Sequence, residues 1–110
     1  MAAQGGGRPD RIGADAIGPG HNRAVRVILP RALVSLFPGA VGELHLDGAT
    51  VDALTWALDA RWPGMRARVV DERPAIRRHL NVFVDGRRAT LDTAVEPGAT
   101  VYILTAMSGG

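Results

Sequence analysis

The chain has 110 residues, 46% hydrophobic and 22% charged, with a formal net charge of +2 at pH 7, which is the length of one domain with one core. It contains no cysteine, and this excludes disulfides, thiolate metal sites, iron–sulfur ligation and a cysteine nucleophile. All 13 basic residues are arginine, and from Ala24 onward ten of them stand against nine acids, so the chain lacks the basic excess and aromatic platforms of a nucleic-acid binder.

Residues 1–23 hold six glycines and two prolines, and their few apolar residues follow no period. Such a segment buries too little surface to offset the entropy of ordering it, and it is expected to be a disordered arm. It has no apolar core of the signal-peptide kind, and no apolar run is long enough to span a bilayer. A cytoplasmic protein without membrane contact is the expectation.

Order is expected from Ala24. The β-branched run Val25-Arg26-Val27-Ile28-Leu29 reads as a strand and stops at Pro30. Arg31 to Phe37 is open between a helical turn and an irregular loop, closed by Pro38-Gly39. Glu43-Leu44-His45-Leu46-Asp47 alternates strictly, the pattern of a half-buried strand whose wet face carries His45. Asp47-Gly48 is the turn out of it.

The main helix follows. Thr50 can cap its first N–H groups, and Asp52 suits the positive end of the dipole. Val51, Leu54, Ala57 and Leu58 form one apolar stripe, with Trp62 a turn further and Trp56 off it. Pro63-Gly64 ends the helix. Met65 to Arg78 carries five arginines and two acids, the most basic patch of the folded part, and it reads as a solvated connection, short and irregular or helical, with docking of an acidic partner surface as the other reading.

Leu80-Asn81-Val82-Phe83-Val84 is a strand, and Asp85-Gly86 is a hairpin signal leading to a short return at Arg87–Thr90. Glu96-Pro97-Gly98 turns the chain into a last strand, Thr100–Leu104. The order strand, strand, helix, strand, short strand, strand gives an α+β layer pair, because one helix covers only one face of a sheet. The first and last strands, the most continuously apolar, are expected at its centre. The sequence closes on Thr105-Ala106-Met107-Ser108-Gly109-Gly110. Glycine has no Cβ, so this end is suited to close approach to another surface.

Taken in order, these pieces resemble the MoaD/ThiS family of ubiquitin-like sulfur carriers. They are Val25–Pro30, Asp47-Gly48-Ala49-Thr50-Val51 with Leu54 and Leu58, Trp62-Pro63-Gly64, Leu80–Gly86, Glu96–Val101 and the final Gly109-Gly110. The Leu-Pro after the first strand and the Asn-Val-Phe-Val-Asp-Gly hairpin look most like a CysO-type branch. The tail departs from the Pro-Ala-Val-Ala-Gly-Gly of many such carriers, which leaves pathway and acceptor open. The resemblance implies a β-grasp fold, a mixed sheet of four to five strands on one main helix. It divides the chain into an arm (1–23), a β-grasp domain (24–104) and a tail (105–110).

It also implies a function. A separate adenylating enzyme would use ATP to activate the Gly110 carboxylate, sulfur would displace AMP, and the thiocarboxylate would pass to a sulfur-acceptor enzyme. The carrier itself would bind no cofactor or metal and would be a co-substrate, not an enzyme. Gly109, Ser108, Met107, Ala106 and Thr105 would thread the partner's channel, and Phe83, Tyr102 and Leu104 would either dock it or lie in the core. Two other readings remain beside it: a protein modifier conjugated through Gly110, and a β-grasp binding module with an accidental Gly-Gly. With no lysine on the chain, a modifier of this sequence cannot link to itself through lysine side chains.

Overall fold

Alternation and turn chemistry set the sheet. In the computed structural model, which describes residues 24–106, five strands form one mixed sheet in the order β2-β1-β5-β3-β4. The strands are β1 (Val25–Ile28), β2 (Glu43–Leu46), β3 (Leu80–Val84), β4 (Arg87–Ala89) and β5 (Thr100–Thr105). β1 and β5 run parallel, and the other neighbours are antiparallel. The expected arm over 1–23 and the tail residues Met107, Ser108, Gly109 and Gly110 lie outside the described residues.

β5 occupies the centre with β1 beside it, the arrangement expected of the two most apolar strands. Val25, Val27, Leu44, Leu46, Val82, Val101 and Ile103 point inward and are buried. The Asp85-Gly86 hairpin has φ of +48° and +86°, the left-handed pair of a type I′ turn that matches strand twist.

Helix α2 (Val51–Arg61) lies across the inner face of the sheet, and a short turn α1 (Arg31–Val34) precedes β2. The Thr50 hydroxyl accepts from the Ala53 N–H at 3.1 Å, the cap expected from its position. The loop before β5 meets two more N–H groups of that first turn: Val51 donates to the Thr93 carbonyl and Asp52 to the Leu91 carbonyl, each at 3.0 Å. Val51, Leu54 and Leu58 are buried as the stripe predicts, Ala57 is half-buried, and Thr55 joins the buried set.

The Arg-rich connection is more ordered than a solvated loop. Gly64 adopts φ +98°, and the Asp59 carboxylate accepts from the N–H groups of Gly64 and Arg66 at 3.0 and 3.1 Å. The chain then turns into α3 (Met65–Val69), which places Met65, Val69 and Val70 in the core. Met65 and Val69 are four residues apart and share one face of the turn, while the exposed Arg68 looks outward.

Candidate functional site

The outer face of the sheet is the reverse of its core face. Residues that alternate with the buried set stand there: Glu43 and His45 from β2, Arg26 and Ile28 from β1, Tyr102 and Leu104 from β5, Asn81 and Phe83 from β3, and Arg88 from β4. The register gathers them into rows. Tyr102 sits between Ile28 on one side and Phe83 on the other, and Leu104 is paired with Asn81.

The middle of this face is apolar. Tyr102 is 40% exposed and Leu104 41% exposed, while Ile28 and Phe83 are half-buried. The edges are charged. On the β2 side, Arg26 Nε meets Glu43 Oε2 at 2.7 Å; this hydrogen bond holds the Glu43 carboxyl below its ordinary pKa and raises that of Arg26. On the β4 side, the Arg88 guanidinium lies 6.0 Å over the Phe83 ring and donates to Asn81 Oδ1 at 2.8 Å. An apolar centre with a polar rim is the anatomy of a protein-binding surface. The three docking residues anticipated from sequence therefore share one outer face, and none belongs to the core. Ile28 and Arg88 share this face beside Tyr102 and Phe83, and Ile28 is legible there because it alternates with the buried Val25 and Val27.

The same strand delivers the tail. β5 runs one residue past the expected Leu104, and Thr105 is paired with Leu80 in the ladder. The Ala106 N–H then donates to the His79 carbonyl at 2.7 Å. Two of the anticipated tail residues, Thr105 and Ala106, are thus held by β3 and the residue before it, not released from the sheet. Four residues follow Ala106, with a fully extended reach of about 14 Å. Met107, Ser108, Gly109 and Gly110 lie outside the described residues.

Among the described residues no three His, Asp or Glu side chains are placed to hold a metal ion. His45 is exposed on β2 and His79 is exposed at the foot of the tail. No helix among these residues is long and apolar enough to cross a membrane.

This combination of a central strand, an apolar outer face and a Gly-Gly sequence beyond it has relatives. The model of the ThiS family matches residues 31–110. The chain belongs to the ThiS family. A chain in the crystal structure of the Amycolatopsis orientalis BexX/CysO complex is 32% identical to this ThiS-family chain, with a TM-score of 0.70 over 79% of this chain and 100% of that one. Mycobacterium tuberculosis CysO is 27% identical, with a TM-score of 0.69 over 76% of this chain and 99% of that one. Haloferax volcanii SAMP1, at 24% identity, 79% and 99% coverage and a TM-score of 0.65, shares the fold. The architecture is therefore the β-grasp of ubiquitin-like proteins. A search of curated protein sequences gives no match.

Proposed function

We propose that this chain is a sulfur carrier whose Gly110 carboxylate is activated by a partner enzyme and converted to a thiocarboxylate. The observation that carries the reading is the ThiS-family match, which runs through Gly109 and Gly110. The placement of the tail on the central strand, beside an apolar face, supports it.

The chemistry asks little of the carrier's side chains. A carboxylate oxygen attacks the α-phosphorus of ATP on the partner, pyrophosphate leaves, and an acyl-adenylate results. A hydrosulfide equivalent then attacks the acyl carbon, the bond to the AMP oxygen breaks, and AMP leaves with the electron pair. The thiocarboxylate that remains is a softer nucleophile than the carboxylate and passes sulfur to an acceptor enzyme. The carrier acts as co-substrate, without metal or bound cofactor, in the cytoplasm. The glycines serve by lacking side chains, since a Cβ at Gly109 or Gly110 would collide with the walls of a narrow channel. Tyr102, Phe83 and Leu104 dock the enzyme. The BexX/CysO complex formed by the related Amycolatopsis protein supports a recognition surface of this kind.

The test is the intact mass of the chain after incubation with a purified adenylating enzyme, ATP and a sulfide source. The expected result is a gain equal to one oxygen replaced by sulfur, located on the C-terminal peptide and absent when Gly110 is changed to Ala. An unchanged mass with an enzyme active on its own carrier overturns the reading. A series of heavier adducts to target proteins would instead assign the chain to conjugation.

A further inference from the structure

Net charge conceals an uneven distribution. Three arginines are engaged by carboxylates: Arg26 by Glu43, Arg66 by Asp52 and Arg73 by Asp71. Arg66 is further held by the Thr55 hydroxyl and stacks 4.0 Å over the Trp56 ring. Among the described residues no carboxylate pairs with Arg68, Arg77 or Arg78. Arg68 and Arg77 line one hollow with Thr105 at the end of β5, and Arg78 joins Arg77 in the two hollows beside it. The Leu80 N–H donates to the Arg77 carbonyl at 3.0 Å, and His79 holds the Ala106 N–H.

The surface around them is sculpted by three hollows, and Arg77 lines all of them. One, of about 480 Å³, has an apolar floor of Pro30, Leu33 and Leu36 and a lip of Arg68, Arg77, His79 and Thr105. Leu36 is 51% exposed there. The second sets Arg77, Arg78 and Arg88 against Asp52 and Asp92, and Asp52 is already paired with Arg66. The third carries Arg73, Arg77 and Arg78 against Asp71 and Glu72, with Asp71 committed to Arg73. Arg77 is also preorganised: its Nε donates to the Ala67 carbonyl at 2.8 Å, which ties the guanidinium to α3.

We infer that Arg77 and Arg78, with Arg68 beside Arg77, form a cationic ridge next to His79 that docks an acidic rim on the protein that receives the tail. The inference rests on the carrier reading and names the chemistry of its partner. Reach decides what the ridge meets. The four residues after Ala106 extend about 14 Å, so a threaded tail carries Gly110 well into the partner while the ridge stays at the mouth. It faces protein surface there, not the nucleotide. A near-neutral chain gains orientation from such a patch, because complementary charge at an interface raises the association rate and fixes register. The apolar face and the ridge then flank the tail from two sides and leave it one direction of entry.

The first experiment titrates the isotope-labelled full chain with an oligoglutamate peptide at low salt, using oligoglutamine and inorganic phosphate as comparators. Amide resonances of Arg68, Arg77, Arg78, His79 and Ala106 are expected to shift with oligoglutamate and not with oligoglutamine. The shifts should shrink as the ionic strength rises to about 0.15 M. They should vanish in the Arg77→Glu, Arg78→Glu double variant, whose sheet amide resonances stay those of the parent. Shifts spread evenly over Arg26, Arg31, Arg61 and Arg87, or no shifts, overturn the ridge. Equal shifts with phosphate alone reassign it as a small-anion site and overturn the acidic-rim reading.

The second experiment uses the adenylating enzyme. The double variant should raise the KM for the carrier about tenfold with kcat unchanged, the mark of lost docking without lost chemistry. A KM equal to that of the parent overturns the inference. A parent chain that never gains sulfur overturns the carrier reading instead, and the peptide titration still reports on the ridge.

Discussion

At the scale of single residues, three acids, Asp59, Asp71 and Asp85, fix backbone by accepting from N–H groups. Asp71 shows this best. Its carboxylate takes the Arg73 side chain through Nε at 2.8 Å and accepts from the N–H groups of Arg73 and Ala75 at 3.0 Å each. The bond from the Arg73 side chain is the largest cause of a pKa lowered from 3.8 to about 2, with the two backbone bonds adding to it against partial desolvation. The sign follows from linkage. A carboxyl whose folded value lies below its unfolded one stabilises the folded loop fully above about pH 3.8, and that contribution is lost as pH falls through about 2. The Asp71 carboxyl carbon is therefore expected to titrate near pH 2 by NMR, with faster amide exchange at Arg73 and Ala75 over the same fall in pH. A midpoint near 3.8 would show that the three bonds do not persist in solution. Because this loop leads directly into Arg77 and Arg78, the Asp71→Asn variant should loosen the ridge while leaving the sheet intact.

At the scale of elements, two surfaces of similar chemistry do opposite work. Met65 on α3 is fully buried, and its replacement by Ala leaves a void beneath α2 expected to cost about 2–5 kcal/mol in chemical denaturation. Tyr102 on β5 is 40% exposed, so Tyr102→Ala should change stability little. It should raise the KM for the adenylating enzyme by about tenfold or more, as a central aromatic of an interface does. Equal stability losses for the two variants would show that the outer face is structural. The contrast also explains what was legible in the sequence. Strand alternation and the Asp-Gly hairpin are local signals, so the sheet and its centre are readable from residue order, while the outward side of Phe83, Tyr102 and Leu104 is set by which face α2 covers. α3 is not, because Arg66 and Arg68 interrupt its two-residue apolar face and give the stretch the look of a solvated loop. The loop that buries Leu91, Val95 and Ala99 forms neither helix nor strand, although these residues recur every fourth position. Its burial is fixed by bonds to the start of α2 from Leu91 and Thr93, which no local pattern records. The basic character of Met65 to Arg78 is legible from composition, but its place beside the end of β5 is not, since Arg68, Arg77 and Thr105 come together only in the folded hollow.

At the scale of the whole molecule, the fold separates holding from delivering. β5 is bonded on both sides, by β1 and β3, up to the point where only β3 continues beside it. The last described bond of the chain to its body is Ala106 to His79. A chain ended after Ala106 keeps every described contact, so its unfolding free energy should lie within about 0.5 kcal/mol of the parent. It should gain no sulfur whatever the enzyme concentration. A chain ended after Ile103 loses the Leu80–Thr105 rung, the Ala106 bond and the outward Leu104. At about 1 kcal/mol for each net hydrogen bond, it should be weaker by about 1–3 kcal/mol. Ile103 itself is buried and remains in place, so the domain should still fold. The pair of truncations separates the two roles by measurement: calorimetry reads the handle and intact mass reads the tail. A stability loss in the chain ended after Ala106 would mean that Met107 to Gly110 pack against the domain. The carrier would then have to release its tail before an enzyme could take it, and thiocarboxylation would be limited by that release.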